Sequence, residues 1–316
     1  MKKGLRFLRG RRVLFLLFLF LSHTSYSQLS FAFKSAEAGF SISPSNFLGD
    51  LGGNYGKGKP FLKDNNISNT KIMLSGQLSV FPREWLGLRL SLSHGTIAGD
   101  DALIESKGGF EEARKVRNQN FKSKINEAFL SVEIYPTVFL ERDPSIHARK
   151  IRPYILVGGG VFHFNPQGRD PLNNNWVYLK GLHTEGQGFP EYPDRKNYKL
   201  TQLEIPLGFG IKYFISEKVS LSTEFVSRKT FTDYIDDVST TYIDKDAFYT
   251  NLPLDVAIID NRMYDKSVSS ASRNGGEQRG SPKNLDAFYS AGLKLSIRLG
   301  NGGTNGGVMR CPVIRQ

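Results

Sequence analysis

A cluster of three carboxylates is the clearest candidate for metal chemistry in the sequence. Asp233, Asp236 and Asp237 lie within the short segment Phe231–Asp237. Carboxylates bind hard cations such as calcium, but this spacing matches no cation-binding loop. An acidic turn that packs over neighbouring structure accounts for the same three residues. We therefore predict no metal site and no cofactor.

Histidines and a glycine run are the other chemically suggestive features. A hydrolase needs a nucleophile held by a histidine and an orienting acid, and the chain has no motif for such a set. A phosphate-binding loop needs a Lys-Ser/Thr pair after its glycines, and none follows Gly160. The residues that suggested a catalytic or metal site are His94, His163, His183 and Glu185. We predict no catalytic residues, and we expect that the chain is not an enzyme.

The first residues predict export. Six basic side chains precede the apolar run Val13–Leu21, and the polar stretch Ser25–Gln28 follows it. This order is typical of a secretory signal peptide. The apolar run is too short for a transmembrane helix, which needs roughly 20 residues. We expect residues 1–27 to be a signal peptide that is cleaved before Gln28.

Composition narrows the class of the exported protein. The net charge of +12 includes the six basic residues of the signal peptide, which leaves 12 − 6 = +6. The remaining basic residues are scattered, so we expect no nucleic-acid partner. No later apolar run is long enough for a membrane helix, yet the chain has 32 Gly, 23 Phe and 13 Tyr. This combination suits an outer-membrane β-barrel, in which apolar and polar residues alternate.

Alternation with period two is present and recurs along the chain. In one segment Leu88, Leu90 and Leu92 alternate with smaller or polar residues. Successive side chains of a strand point to opposite faces, so this period indicates β-strands. The predicted strands are Ala36–Ser43, Lys71–Phe81, Leu86–Thr96, Phe121–Tyr135, Arg152–Asn165, Lys199–Phe214, Lys218–Thr230 and Asp286–Leu299. We predict an all-β fold: an eight-stranded antiparallel transmembrane up-and-down β-barrel with long extracellular loops, spanning residues 28–299.

The polar face of these strands mixes glycine, serine and isolated charges. An eight-stranded barrel has an interior just wide enough for side chains to fill, and charges buried there must pair. Glu133 and seven other charged residues share this face. The predicted polar network of the lumen consists of Glu37, Arg89, Glu204, Glu224, Arg228, Lys294 and Arg298. The glycines predicted on the same face are Gly39, Gly76, Gly87, Gly208, Gly210 and Gly292.

Short and long connections alternate between the predicted strands. Two links are short, and the link Pro136–Ile151 is moderate. The four long links are Pro44–Thr70, Ile97–Asn120, Pro166–Tyr198 and Phe231–Leu285. Outer-membrane barrels have short periplasmic turns and longer outer loops, whereas a soluble sandwich has no reason to place every long loop at one end. The connections therefore favour the barrel.

Four sequence runs resemble a known family. They are Arg152–Pro166 (RPYILVGGGVFHFNP), Leu182–Gly188 (LHTEGQG), Leu200–Tyr213 (LTQLEIPLGFGIKY) and Glu224–Tyr242 (EFVSRKTFTDYIDDVSTTY). Together with the strand spacing, they resemble the PorG-type outer-membrane barrels of the type IX secretion system of Bacteroidota. The resemblance covers nearly all of Ala36–Leu299.

The resemblance implies a structural role in protein secretion and gliding motility. Members of the family are taken to anchor a periplasmic ring, built from a lipoprotein and its soluble partner, to the outer membrane. A filled eight-stranded barrel is also too narrow to pass a folded protein, which agrees with an anchor. The expected partners are outer-membrane lipid, the ring lipoprotein and its soluble partner. Two alternatives stay open: an outer-membrane enzyme that hydrolyses lipid or peptide, and a loop-presenting adhesin.

Residues 300–316 form a tail after the last predicted strand. A Gly/Asn-rich linker precedes a short end that contains Cys311, the single cysteine of the chain. Glycine-rich segments are flexible, and an odd cysteine in an exported protein suggests an intermolecular contact. We expect a flexible periplasmic tail in which Cys311 contributes to a partner contact.

Overall fold

The computed structural model describes residues 35–53, 66–105, 108–109, 111–140, 150–268 and 273–299. The predicted signal peptide and the predicted tail with Cys311 lie outside these ranges, so the expectations about them stay predictions.

Ten strands and three short α-helices make up the described part of the chain. The strands are β1 (Ser35–Leu48), β2 (Lys71–Arg83), β3 (Leu86–Asp100), β4 (Asn120–Ile134), β5 (Ile151–His163), β6 (Pro166–Arg169), β7 (Trp176–Tyr178), β8 (Thr201–Phe214), β9 (Val219–Thr230) and β10 (Ala287–Leu299). The helices are α1 (Glu111–Arg117), α2 (Asp246–Asn251) and α3 (Leu254–Tyr264). Single 3-10 turns cover Ile67–Asn69, Asp101–Leu103, Pro136–Leu140 and Lys180–Leu182.

Eight long strands form a closed antiparallel barrel. Each of β1–β5 and β8–β10 pairs with its neighbours in chain order, and β1 pairs with β10 to close the wall. The predicted eight-stranded barrel is therefore confirmed, with strands two to five residues longer than predicted at some ends. The prediction missed the hairpin β6–β7. Its first strand pairs with the upper end of β4 through Lys122–Gln167 and Ser123–Pro166.

Connections of the two kinds lie at opposite ends of the barrel. Residues 84–85, 135–150 and 215–218 connect strands at the lower end, where both ends of the wall also lie. The four long connections all lie at the upper end, as predicted. We call their described residues the cap: 49–53, 66–70, 101–105, 108–109, 111–119, 164–200, 231–268 and 273–286. No helix among the described residues is long and apolar enough to cross a membrane.

The wall has an apolar exterior and a polar interior. Residues with exposed apolar side chains follow each strand at every second position, for example Leu90 (39% exposed), Leu130 (66%) and Phe209 (60%). Their neighbours in sequence, such as Arg89 and Ser131, are buried inside. This arrangement, with apolar residues outside and polar residues inside, is that of an outer-membrane barrel and is the reverse of that in a soluble protein.

Gly76 lies on the exterior face of its strand and not on the predicted lumen face. Gly76 points outward, where a Cβ would meet nothing within 4 Å. It has the same parity as Leu74 and Leu78, which are exposed on the exterior, so the prediction contradicted the strand's own alternation. The other five glycines face the lumen; a Cβ on Gly210, for instance, would lie 2.5 Å from the Tyr154 ring.

An arginine on the lipid-facing side is expected to block assembly. Leu88 and Leu207 are 42% and 48% exposed on the exterior. A charge near the middle of the bilayer costs about 2–4 kcal/mol on the lipid face of a barrel. We expect Leu88→Arg and Leu207→Arg to lower the fraction of chains that show heat-modifiable migration on gels. Leu88→Phe and Leu207→Phe, which keep the face apolar, should assemble normally. Normal assembly of both arginine variants would mean that the assigned faces are wrong.

Candidate functional site in the lumen and the cap

The lower lumen is filled by one charged network. The Arg89 guanidinium contacts the carboxylate of Glu133 and, at 2.6 Å, that of Glu224. The Lys294 ammonium lies 3.2 Å from Glu224 and 3.8 Å from Glu133. Tyr154 donates its hydroxyl to Glu224 Oε2 at 2.6 Å. These five residues come from β3, β4, β5, β9 and β10, so the network connects the wall across its interior.

Two smaller charged groups lie below and above this network. Below it, the Lys212 ammonium lies 2.5 Å from Glu37, and Arg298 approaches the same carboxylate at 4.0 Å. Above it, Arg228 donates to Glu127 Oε2 at 3.0 Å and to Ser290 Oγ at 2.5 Å. Buried charges are tolerated when they are paired and hydrogen-bonded in this way.

Glu204 lies in the upper lumen without a hydrogen bond to the described residues. It is 2% exposed, and neither carboxylate oxygen has a hydrogen-bond partner among those residues. Glu127 and Arg228 are the charged groups that act on it most strongly. All seven predicted lumen residues thus face the interior, but they divide among three groups and do not form one network.

Sequence reasoning missed three lumen residues that complete these groups. Glu127 pairs with Arg228, Tyr135 donates to Glu133 at 2.6 Å, and Tyr154 donates to Glu224. Glu127 has the same parity as Glu133 on β4, so strict alternation points to it. Tyr154 begins an apolar, glycine-rich run whose phase is ambiguous in sequence. Tyr135 ends the predicted strand Phe121–Tyr135 and has the same parity as Glu133, so strict alternation points to it as well.

An apolar core closes the upper mouth of the barrel. Phe47 and Phe121 make an edge-to-face contact with ring centroids 4.7 Å apart, and Phe162 meets Phe288 at 5.6 Å. Wall and cap residues both contribute to this core, which also contains Met73, Ile97, Ile125, Phe164, Ile235, Val238 and Met263. The two cavities found among the lumen side chains have volumes of about 10 Å³ each. A cavity of that size holds about one water molecule. The described lumen is therefore packed and closed.

Two buried arginines connect all four loops of the cap. Arg117 donates to both carboxylate oxygens of Asp101 at 2.7 and 3.0 Å, and to the carbonyls of Asp50 and Arg279 at 2.6 Å. Arg279 donates to Glu185 Oε1 at 2.8 Å and to the Asp237 carbonyl at 2.6 Å. Burial of these guanidinium groups opposes their charge, but the adjacent carboxylates outweigh it and raise the pKa of Arg117 and of Arg279.

Glu185 holds the third loop against the fourth. Its carboxylate accepts the backbone N–H groups of Ser239 and Thr240 at 2.9 and 3.0 Å, and the Thr240 hydroxyl at 2.6 Å. It is 0% exposed. A carboxylate with several charge-assisted hydrogen bonds is strongly held. Glu185 therefore stabilises the contact between the third and fourth loops.

The three aspartates of the fourth loop pack over the barrel mouth. Asp236 accepts the backbone N–H groups of Leu51 and Val238 at 3.1 and 3.0 Å. Asp237 accepts the hydroxyls of Thr184 and Tyr198 at 2.5 and 2.7 Å. Asp233 is 7% exposed, and its burial raises its pKa to about 8. Two of the three aspartates are thus engaged with neighbouring loops. Among the described residues, no three His, Cys, Asp or Glu side chains are arranged to hold a metal ion.

The histidines do not meet at one site. His94 and His163 lie on the exterior of β3 and β5, where they bond to Asn126 and Thr201. His183 lies in the cap, and its ring nitrogen Nδ1 is 2.6 Å from the Gln187 carbonyl. Glu185 is committed to Arg279 and the fourth loop. The structure therefore gives these four residues no shared geometry for catalysis.

Raised carboxylate pKa values make the cap sensitive to pH. Burial raises the pKa of Asp233 and of Asp260 to about 8, and that of Asp237 to about 6. Each folded carboxyl group therefore keeps a proton that the unfolded chain releases near pH 4. Their contribution to cap stability is full below pH 4 and is lost as the pH rises through 6 and 8. Burial also lowers the pKa of Lys266 to about 8, which adds stability only above that pH.

We expect protection of cap amides against hydrogen exchange, corrected for intrinsic rates, to fall between pH 5 and pH 8. Asp233→Asn, which has no proton to lose, should show a smaller fall than the unchanged chain. The backbone amides of the wall strands serve as the internal reference, because we expect their hydrogen bonds to open independently of the cap. Protection that rises over this interval would contradict the assignment.

A family model matches most of the chain, and several solved outer-membrane proteins are similar to it. A family model described as "Domain of unknown function (DUF6089)" matches residues 11–253. No curated protein matches the chain. Neisserial surface protein A is similar, with 6% sequence identity and a TM-score of 0.36. The match covers 83% of this chain and 96% of the Neisserial protein. Ail of Yersinia pestis, solved with the heparin analogue sucrose octasulfate, is 7% identical with TM-score 0.36 and coverages of 84% and 97%.

A major outer membrane protein of Thermus thermophilus is 12% identical, with TM-score 0.35 and coverages of 84% and 99%. The barrel of this chain rests on its own strand pairing and on the distribution of its apolar side chains.

Proposed function

The chain belongs to the DUF6089 family, and we propose that it is a structural outer-membrane component of the type IX secretion and gliding machinery, anchoring the periplasmic ring. The observation that carries the structural part of the proposal is the closed interior. Charged groups fill the lower lumen, the apolar core fills the mouth, and the described cavities hold about one water each. A barrel without a passage serves as an attachment to the membrane.

Support for the secretion system comes from the sequence. The four runs that resemble PorG-type barrels include the apolar strand β5, the strand β8 and the acidic turn of the fourth loop. In the structure these segments provide lumen contacts such as Tyr154–Glu224 and cap contacts such as Asp237–Thr184. The resemblance thus falls on residues that hold the fold together. The partner role is inferred from the resemblance, because the contacts named here lie inside the barrel and in the cap.

The β4–β5 connection is the largest described feature on the periplasmic side. Residues 84–85 and 215–218 make tight turns, whereas 135–150 form a longer connection that begins with the 3-10 turn Pro136–Leu140. Phe139 and Leu140 are 67% and 69% exposed there, and the Phe139 ring lies 5.6 Å from that of Trp85. We propose this turn as the contact with the ring.

Two measurements test the proposal. The first is recovery of the ring lipoprotein and its soluble partner with the barrel from native membranes in mild detergent. The double variant Phe139→Ser/Leu140→Ser should reduce recovery while leaving the membrane level and heat-modifiable migration unchanged. Ile67→Ser/Leu172→Ser is the matched control, because both residues are exposed in the cap (81% and 74%) on the other side of the membrane. Undiminished recovery with the first pair would contradict the proposed contact.

The second measurement is secretion in a deletion strain together with conductance of the purified chain in planar bilayers. Loss of secretion without steady single-channel conductance is the expected result. Normal secretion in the deletion strain would contradict the role in this machinery. Steady conductance would contradict the closed lumen.

A loop-presenting adhesin is the second candidate, favoured by exposed apolar residues on the outer side. Leu254 and Ile258 lie one turn apart on α3 and are 68% and 47% exposed. Such residues on an ordered surface element suit a contact with another molecule. Binding of the purified barrel to cell surfaces, reduced by Leu254→Ser/Ile258→Ser, would favour this function. An enzymatic role would require hydrolysis of lipid or peptide by the purified protein.

A further inference from the structure

A basic cluster lies on the exterior of the barrel near its upper end. We define the basic rim as Lys122, Lys124 and Arg169, together with Trp176. The Lys122 ammonium lies 4.1 Å from the centroid of the Trp176 ring, and the Arg169 guanidinium carbon lies 5.5 Å from the same centroid. The hairpin β6–β7 provides Arg169 and Trp176, and it pairs with β4 next to Lys122.

The strand register places the basic rim at the edge of the apolar band. One exterior row consists of apolar or small residues paired across four strands: Leu92, Ala128, Val161 and Leu203. The next row toward the cap is polar and consists of His94, Asn126, His163 and Thr201. Lys124 and Lys122 follow on the same face of β4, each about 7 Å further along the strand. The charges therefore begin where the hydrocarbon layer ends.

Positive charge in the rim is poorly balanced by the protein itself. Lys124, Arg169 and Lys71 all repel the Lys122 ammonium. Within the described ranges, none of the three basic side chains of the rim forms a salt bridge with a carboxylate. Arg169 also interacts with the Asp100 carboxylate. Two lysines and one arginine without a salt bridge therefore leave a positive site at headgroup depth.

We propose that the basic rim binds the phosphate groups of an anionic glycolipid in the outer leaflet of the membrane. Lysine and arginine are the usual ligands of phosphate oxygens, and the pairs are strengthened by charge. The Trp176 ring packs against Lys122 and Arg169 and so holds both charges on the headgroup side of the apolar band. The apolar rows below the rim contact the acyl chains of the same lipid. This inference concerns the outer leaflet and is independent of the proposed periplasmic anchor.

The test counts lipid molecules that remain bound to the full mature barrel in native mass spectrometry. The probe is bis-phosphorylated lipid A, compared with the same lipid after enzymatic removal of its phosphates. We expect binding of the phosphorylated form, and binding at least about tenfold weaker for the triple variant Lys122→Gln/Lys124→Gln/Arg169→Gln. The matched control, Lys196→Gln/Lys218→Gln/Lys283→Gln, removes the same charge from exposed sites in the cap and at the lower end of the barrel. It should bind like the unchanged chain.

Two further measurements distinguish specific binding of the lipid from a general effect of positive charge. Lys122→Arg/Lys124→Arg keeps both charges and should retain binding. Inorganic phosphate at the same concentration should not displace the lipid, because it lacks the acyl chains that contact the apolar rows. Equal binding by the triple variant, equal binding of the dephosphorylated lipid, or displacement by inorganic phosphate would each overturn the proposal. Heat-modifiable migration checks that every variant is folded.

Discussion

Arg89→Met is expected to lower the stability of the barrel by about 3–5 kcal/mol, which is the cost of removing one partner from a buried charge pair. Arg89 and Glu133 are each 1% exposed, and Arg89 also pairs with Glu224 at 2.6 Å. Without the guanidinium, two carboxylates share the single ammonium of Lys294. The measurement is the midpoint of urea unfolding, followed by heat-modifiable migration in detergent.

Two companion variants make the result specific. Arg83→Met removes an exposed arginine at the lower end of β2 and should change stability by less than about 0.5 kcal/mol. Arg89→Met/Glu224→Gln removes the cation together with one carboxylate charge, so it should recover part of the loss. An unchanged midpoint for Arg89→Met would show that the lumen network contributes nothing to stability.

Arg279→Met is expected to release the cap while the wall stays closed. The Arg279–Glu185 pair is 2.8 Å long, and both side chains are at most 1% exposed. Breaking a buried pair of this kind costs about 3–5 kcal/mol. The loss falls on the contact between the third and fourth loops, because Glu185 receives the amides of Ser239 and Thr240. Hydrogen exchange of those two amides should rise by two or more orders of magnitude, at about tenfold per 1.4 kcal/mol.

Arg273→Met is the matched control for the cap. Arg273 pairs with Glu277, four residues later in the sequence, and both side chains are partly exposed. Its removal should therefore leave the hydrogen exchange of the Ser239 and Thr240 amides unchanged. Barrel migration on gels should be normal for both variants. If Arg279→Met shifted barrel migration but not amide exchange, the arginine would support the wall and not the cap.

Much of the wall could be predicted from sequence because one rule governs it. A strand that separates lipid from a polar interior must alternate, so Leu88, Arg89 and Leu90 reveal their faces without further information. The error at Gly76 shows the limit of this reasoning: grouping glycines by type overrode the parity of β2. Where a run is apolar on both faces, as around Gly158–Gly160, alternation loses its signal and Tyr154 was missed.

The arrangement of charges inside the lumen could not be predicted to the same depth. Alternation assigns a residue to the interior but does not give its height, which depends on how the strands are staggered around the barrel. Arg89 and Glu224 are far apart in sequence and meet across the lumen, whereas Glu204 lies among other residues near the mouth. Partner choice is therefore a property of the closed barrel and not of any single strand.

The cap was beyond sequence reasoning for a different reason. Its segments have no single period, and α3 buries Ala257, Asp260 and Met263 while leaving Leu254 exposed. Its order comes from long-range contacts, chiefly those of Arg117, Arg279 and Glu185. A loop that is ordered by contacts with three other loops has little local sequence pattern from which its structure could be predicted.

The apolar core at the mouth has a consequence for the order of folding. Phe47 and Phe288 lie opposite each other on β1 and β10, the first and last strands of the wall, and Phe47 also contacts Phe121 on β4. These rings come together only when the first strand meets the last. Because the contact between Phe47 and Phe288 forms only on closure, we expect the four outer segments to condense on this core after the wall has closed. Substitutions in the cap should then speed its opening and leave the insertion rate of the barrel unchanged.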